Sequence, residues 1–344
     1  MRVKYWLIIL IVVLFLGLFC GGGTAAGTTN ETETAAFPKM EIIIAHTDSS
    51  SPDSISSAYS NAFAEYVSEK TNNNVTFRIY GDGILGDDEP LLEGVRMGNE
   101  TMVITSPFAI AKIEPCHDTI SLPLLFKDID DVHKFLDSDL AAEMNGELEK
   151  YGIKVLGVID GGFRQMVSKN KPIIDMNSLK GLKWRVPNNP LYVKTFKLLG
   201  ANPVPMGGLE VFTALQQGTI DGCEFPVSSI YDDQYYKVAK YLTITNHIYM
   251  GWYVLFNKNT WDSCSPELKQ IFTDAAAKAL QNSRNIFVQN YEKELAVISK
   301  SMEVKYEFDI SAMQEAVKPL YEEYRTRIGE TYFDRAMEQI GITL

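Results

Sequence analysis

Two arginines stand out by where they fall. In "LKGLKWRVPNN", Leu179 to Asn189, the residues Leu182, Trp184 and Val186 alternate with Lys183 and Arg185. That period of two is the mark of a strand with two different faces. Pro187 then stops the ladder, because it has no N–H to donate. Arg185 is therefore expected at the C-terminal end of a strand, where open α/β sheets bind ligands. Arg164, in "DGGFRQMVS", is expected in a Gly-rich turn just past a strand that ends at Ile159. A guanidinium forks bidentately onto a carboxylate, and a buried one is costly unless paired. Two such groups beside strand ends point to an anion site, with a ligand carboxylate as the partner.

Other chemistry is poorly supported. The histidines His46, His117, His133 and His247 form neither an H-x-x-x-H nor an H-E-x-x-H pair, so no metal is expected. There is no G-x-S-x-G elbow and no nucleophile motif of the β-lactamase kind. "YGDGILGDDEP" contains G-x-G-x-x-G at Gly81, Gly83 and Gly86, between a strand and a helix. Asp87, Asp88 and Glu89 crowd the helix start, where a pyrophosphate needs positive potential. The next strand, "TMVIT", ends at Ser106, without an acid for a ribose. A plain Gly-rich turn is the better reading, an NAD(P)-dependent oxidoreductase the distant alternative, and no cofactor is expected.

The surrounding pattern alternates. "MEIIIAH" is β-rich, "AYSNAFAEYVSEKT" has a helical apolar face, and "VTFRIY" alternates as a strand. Further on, the pattern predicts a helix over 129–150, strands over 153–159 and 183–186, and a helix over 190–199. That rhythm argues for an α/β fold with a largely parallel sheet. From Ser265, an N-cap followed by Pro266, runs an uninterrupted helical pattern to about 299. At ~1.5 Å per residue it is roughly 50 Å long, more than one small domain needs.

Composition narrows the class. The 344 residues are 46% apolar and carry a net charge of −12, with no basic stripe, so nucleic acid is not an expected partner. An acidic surface repels anions at long range, so an anion site must be a pocket with its own cations. Arg2 and Lys4 precede an apolar run from Tyr5 to Phe19, shorter than the ~20 residues a span needs. Residues 1–20 read as a signal peptide and 21–39, rich in Gly, Thr and Ala, as a flexible tether. Cys20 at the junction is a candidate lipid anchor, although Phe19 is an unusual residue before a lipidated cysteine. Cys116, Cys223 and Cys264 are expected to be buried free thiols.

One long block resembles a known family. "GLKWRVPNNPLYVKTFKLLGANPVPMGGLEVFTALQQGTIDGCEFP" followed by "VAKYLTITNH" is similar to the solute-binding subunits of tripartite ATP-independent periplasmic (TRAP) transporters, the DctP-type receptors. "RIYGDGILGDDEPLLEGVRMGN" and "ISLPLLFKDIDDVHKFLD" match further family segments, and the resemblance covers about Ile42 to Ile340. It implies a two-lobed, type II-like periplasmic-binding-protein fold with hinge strands and a long helix spanning both lobes. Lobe I would be 40–161 plus 251–290, and lobe II 162–250 plus 291–344. The ligand would be an organic acid in the cleft between the lobes, delivered to membrane permease subunits. A receptor of the same fold serving a sensor or another transporter is the alternative.

The resemblance makes Arg185 the carboxylate clamp and Arg164 a second contact. Departures matter too. Phe225 stands where the family often has an Asn, and Gly208 where it often has an aromatic. The segment of Ser106 and Ala109 lacks the Glu and Arg of sialic-acid receptors. Ser106, Phe108, Phe225 and His46 complete the expected ligand site, with Trp252 as a further apolar wall. Glu224 is expected to orient Arg185, Glu210 to support its helix, and His247 to be a core residue.

Overall fold

The computed structural model describes residues 37–342. The expected signal peptide, most of the tether and Cys20 lie outside these residues. Ten strands form one connected network: β1 (Met40–His46), β2 (Val75–Tyr80), β3 (Met102–Thr105), β4 (Ile153–Ser168), β5 (Lys183–Val186), β6 (Asn202–Pro205), β7 (Gly222–Pro226), β8 (Tyr241–Thr243), β9 (Tyr249–Asn257) and β10 (Glu303–Lys305). The main order is β2-β1-β3-β9-β4-β7-β5-β6, with β8 also on β4 and β10 on β8. Among the described residues no helix is long and apolar enough to cross a membrane.

The expectation of a largely parallel sheet needs correction. β1 pairs parallel with β2 and β3, and β5 with β6 and β7. The central strands are antiparallel: β9 to β3 and β4, and β4 to β7 and β8. β4 pairs with β9 through Phe163, then with β7 and β8 from Arg164 onward. This one strand therefore joins two half-sheets.

Arg164 lies inside β4, not in a turn after it. "DGG" reads as a turn, but the structure uses it as a bulge between Asp160 and Gly162. A Cβ on Gly161 would stand 2.9 Å from the Met250 carbonyl oxygen, and Gly162 has φ +90° under Phe287 of the long helix. Both positions demand glycine, and the strand continues through them.

The expected helix over 129–150 is also corrected. It breaks into Ile129–Leu136, Asp139–Gly146 and a 3₁₀ segment, Glu147–Tyr151. Ser138 causes the first break: its Oγ accepts from the Ala141 N–H and caps the second helix. The long helix, Pro266–Ile298, forms as expected, and Ser265 Oγ accepts from the Leu268 N–H at 3.2 Å. Phe272, Ala275 and Ala279 pack in the core around β1 and β9, while Leu295 and Ile298 pack with Val211 and Leu242. Its two ends thus bury against different half-sheets. The C-terminal helices, Ile310–Ile328 and Glu330–Ile340, touch segments of both: Pro190–Leu198 on one side, Pro115–Ser121 and Ile129–Leu136 on the other.

Candidate functional site

β5 delivers Arg185 to the cleft between the half-sheets. Its side chain is 1% exposed. Nε and Nη2 donate to the Met206 carbonyl at 3.2 and 2.8 Å, but Nη1 has no hydrogen-bond partner. Among the described residues no carboxylate is ion-paired with it. Its guanidinium carbon stands 4.9 Å from the centroid of the Phe225 ring. Burial, and then the nearby Arg164 charge, pull its pKa below the usual arginine value.

Arg164 sits in the same wall with a different status. It is 1% exposed, and Nη2 donates to Glu224 Oε1 at 2.9 Å and to the Glu224 carbonyl at 2.6 Å, while Nε donates to Oε2. Burial opposes both charges, yet the pairing wins, holding Glu224 below and Arg164 above their ordinary pKa values. The Phe225 ring touches both guanidinium groups, its centroid 5.1 Å from that of Arg164 and 4.9 Å from that of Arg185. Behind Glu224, His247 is fully buried and its Nδ1 is 2.7 Å from Thr245 Oγ1. The core placement of His247 holds. The expectation for Glu224 does not: it pairs with Arg164, because β7 runs antiparallel beside β4 there.

The cleft cavity measures about 180 Å³. Phe225, Phe108, Phe212, Met250 and Trp252 supply its apolar wall, and both arginines reach it. A second space of about 190 Å³ adjoins it across Arg185, Phe108 and Gly208. Gly83 and Leu209 meet over the cleft; a Cβ on Gly83 would stand 2.8 Å from Leu209 Cδ1. Glu210 Oε1 accepts from the Gly207 N–H at 3.3 Å, holding its helix start as expected.

His46 and Ser106 do not line this cavity, contrary to expectation. His46 ends β1 and Ser106 is the N-cap of the short helix Pro107–Ile110, and both are buried. His46 is 1% exposed, with Nδ1 3.1 Å from the Asp48 carbonyl oxygen, and burial pulls its pKa to about 4. Ser106 is fully buried and its backbone N–H donates to Asp88 Oδ1 at 3.0 Å. Asp48 and Asp88 form the cavity wall at these strand ends instead, and Asp233 joins them. These acids were missed because Asp87 and Asp88 read only as a helix start, and Asp87 is indeed that N-cap. A larger groove of about 680 Å³ lies between Pro123–Leu125 and the helix Ile310–Ile328, but its Lys127, Lys318 and Glu322 are exposed. Buried, unneutralised charge is found at the strand ends and not there.

The comparisons agree with this geometry. The profile of "DctP: Bacterial extracellular solute-binding protein, family 7" matches residues 44–327. The chain belongs to the DctP family. This DctP-family chain is 30% identical over 256 residues to the 2,3-diketo-L-gulonate-binding periplasmic protein YiaO of Escherichia coli, covering 74% of this chain and 78% of that one. It is 28% identical to the C4-dicarboxylate-binding periplasmic protein DctP of Rhodobacter capsulatus, covering 89% and 94%. The sugar acid binding protein DctPAm of Advenella mimigardefordensis, solved with galactonate, superposes with a TM-score of 0.85 at 28% identity, covering 89% and 98%. The two-lobed periplasmic-binding fold and the solute-receptor class read from the sequence are thereby established for this DctP-family protein.

Proposed function

We propose that this protein is an extracytoplasmic receptor that closes on an organic acid and hands it to TRAP membrane permease subunits. The observation that carries the reading is Arg185 Nη1, a buried cationic donor without a partner that borders the cleft cavity. A buried guanidinium left unpaired costs several kcal/mol, and a ligand carboxylate supplies both the charge and the acceptors. Arg164 is already neutralised by Glu224, so it acts as the weaker second contact and holds Phe225 in place. Phe225 and Phe108 take the apolar part of the ligand. His46 and Ser106 act through Asp48 and Asp88.

The lobes divide near the β4 bulge and at the Gly251 end of β9, with the C-terminal helices bracing both. Residues 1–20 direct export, and Cys20 is the candidate anchor. The test is thermal shift with mono-, di- and keto-acids on wild type and on Arg185→Ala. A ligand at ~100 times its Kd stabilises by about 2.7 kcal/mol, or roughly 4 °C at ~2.1 cal/mol/K of unfolding entropy per residue. A hit that persists undiminished in Arg185→Ala refutes the clamp.

A further inference from the structure

Two asparagines follow the Arg185 strand and reach across the cleft. Asn189 caps the helix Pro190–Leu198, its Oδ1 accepting from the Leu191 N–H at 2.7 Å. That bond fixes which way the amide faces. Its Nδ2 donates to Asp118 Oδ1 at 3.1 Å and to the Phe108 carbonyl at 3.3 Å, so both amide hydrogens are used. Asn189 follows β5, whereas Phe108 and Asp118 follow β3, so the bonds join the two half-sheets. Arg327, from the helix Ile310–Ile328, donates from Nε to the other Asp118 oxygen at 3.2 Å and holds the carboxylate in place. Asn189 and Asp118 are both buried, so the contact is dry. Tyr192, on the helix that Asn189 caps, meets Phe108 edge-on with ring centroids 5.8 Å apart. Asn188 also crosses the cleft, donating to Glu89 Oε1 at 3.1 Å, but it is exposed.

The residue type carries the argument. Asn, Asp and Ser cap helices about equally well. Of the three, only Asn caps with its oxygen and donates twice with its nitrogen. The position is also tied to the ligand site. Arg185 and Asn189 are four residues apart in sequence, with Pro187 between them and Pro190 beyond, and the Asn189 N–H donates to the Pro187 carbonyl at 2.8 Å. Two fixed φ angles and a tight turn make 185–190 one stiff unit. We propose that Asn189 is the closure latch of this receptor, that Asp118 is its main partner, and that this contact sets the rate of ligand release. The proposal rests on the carboxylate–Arg185 reading of the preceding section. A ligand held between Arg185 and the opposite wall of Phe108 and Trp252 brings Asn189 onto Asp118 in the same movement. Asn189 must leave Asp118 before the cleft reopens. Asn189 does not line the cleft cavity, so it is a positioning residue that acts through the backbone it shares with Arg185.

The test is stopped-flow release, followed by tryptophan fluorescence, since Trp252 lies in the cavity wall. The probes are galactonate, gulonate, succinate, malate, pyruvate and 2-oxoglutarate. Asn189→Asp and Asn189→Ser keep the cap and lose both donors. For each probe that binds the wild type, both variants should release it at least about tenfold faster; full loss of one hydrogen bond to a charge and one neutral bond corresponds to about 30-fold or more. Association should change by less than about threefold, because the latch forms after the encounter. Combining Asn189→Asp with Asp118→Asn exchanges donor and acceptor, and should recover at least half of the loss on a logarithmic scale. Asn188→Ala, whose bond lies in water, should change release by less than about threefold. Release less than about tenfold faster in both Asn189 variants, each shown to be folded by circular dichroism, makes Asn189 a helix cap only; it overturns the latch and leaves the Arg185 clamp standing. An exchanged pair that releases as fast as Asn189→Asp alone, or an Asn188→Ala effect as large, also overturns it. A wild type that binds none of the probes overturns the organic-acid reading and the latch together.

Discussion

Arg185 and Arg164 are equally buried, yet their removal should have opposite effects on the unliganded protein. In Arg185→Met, the chain loses two hydrogen bonds to the Met206 carbonyl and a cation–π contact with Phe225. Together these are worth roughly 2–3 kcal/mol. It also loses a desolvated charge with a free Nη1, a penalty of several kcal/mol. The balance is a gain of about 1–2 kcal/mol. At ~2.1 cal/mol/K per residue, 1 kcal/mol moves Tm by roughly 1.6 °C in a chain of this size, so Tm should rise by about 2–3 °C. In Arg164→Met, Glu224 is left buried without its partner, and breaking such a pair costs about 3–5 kcal/mol. Its Tm should fall by roughly 5–8 °C. Binding should reverse the ranking: Arg185→Met should lose about 30-fold to several thousand-fold in affinity, the range for truncating one partner of a buried charge pair. Differential scanning calorimetry of the two apo variants decides. If Arg185→Met is destabilised as much as Arg164→Met, Arg185 is a structural residue and the reasoning fails.

Other outcomes follow from the same structure. Burial and neighbouring acids push Asp48 up to about 8, so the folded state holds a proton there that the unfolded state releases. Stability from this group is therefore lost as pH rises toward 8, by at most about 2 kcal/mol between pH 6.5 and 8. His46, held at about 4, contributes with the opposite sign but only below pH 6.5. Apo Tm should fall over pH 6.5–8, and Asp48→Asn should flatten that slope; an unchanged slope contradicts the placement of Asp48. Asp160 accepts from Tyr249 Oη at 2.7 Å and lies 2.8 Å from His133 Nε2, with Arg284 Nε at 3.7 Å. Asp160→Asn should therefore cost about 1–3 kcal/mol in urea unfolding, at a junction of β4, β9, the long helix and Ile129–Leu136. Gly83 combines φ +63° with its 2.8 Å approach to Leu209. Gly83→Ala should open the cleft and weaken acid binding, read as a larger radius of gyration in solution scattering, and Leu209→Ala should relieve part of the effect.

How much of this was legible varies with the physics involved. Arg185 was placed correctly because alternation and Pro187 are local signals, and the edge strand β6 carries Pro203 and Pro205, as an edge can. The long helix was legible from its cap and its uninterrupted period. Arg164 was misplaced because a bulge and a turn both use glycine pairs, and only the partner strand tells them apart. The Arg164–Glu224 pair depends on the register of β4 against β7, which no local pattern encodes. Asp48 and Asp88 escaped notice for a related reason. An acid after a strand looks like a cap or a solvated loop until three elements bring such acids together. The buried free thiols Cys116, Cys223 and Cys264 needed only their apolar neighbours to be read.

The most direct measurement is a crystal structure with the most strongly stabilising acid from the thermal-shift panel. The account predicts one ligand carboxylate oxygen within ~3 Å of Arg185 Nη1, with the Arg164–Glu224 pair intact. A ligand carboxylate engaged by Arg164 with Glu224 displaced, or an acid bound away from Arg185, would contradict it.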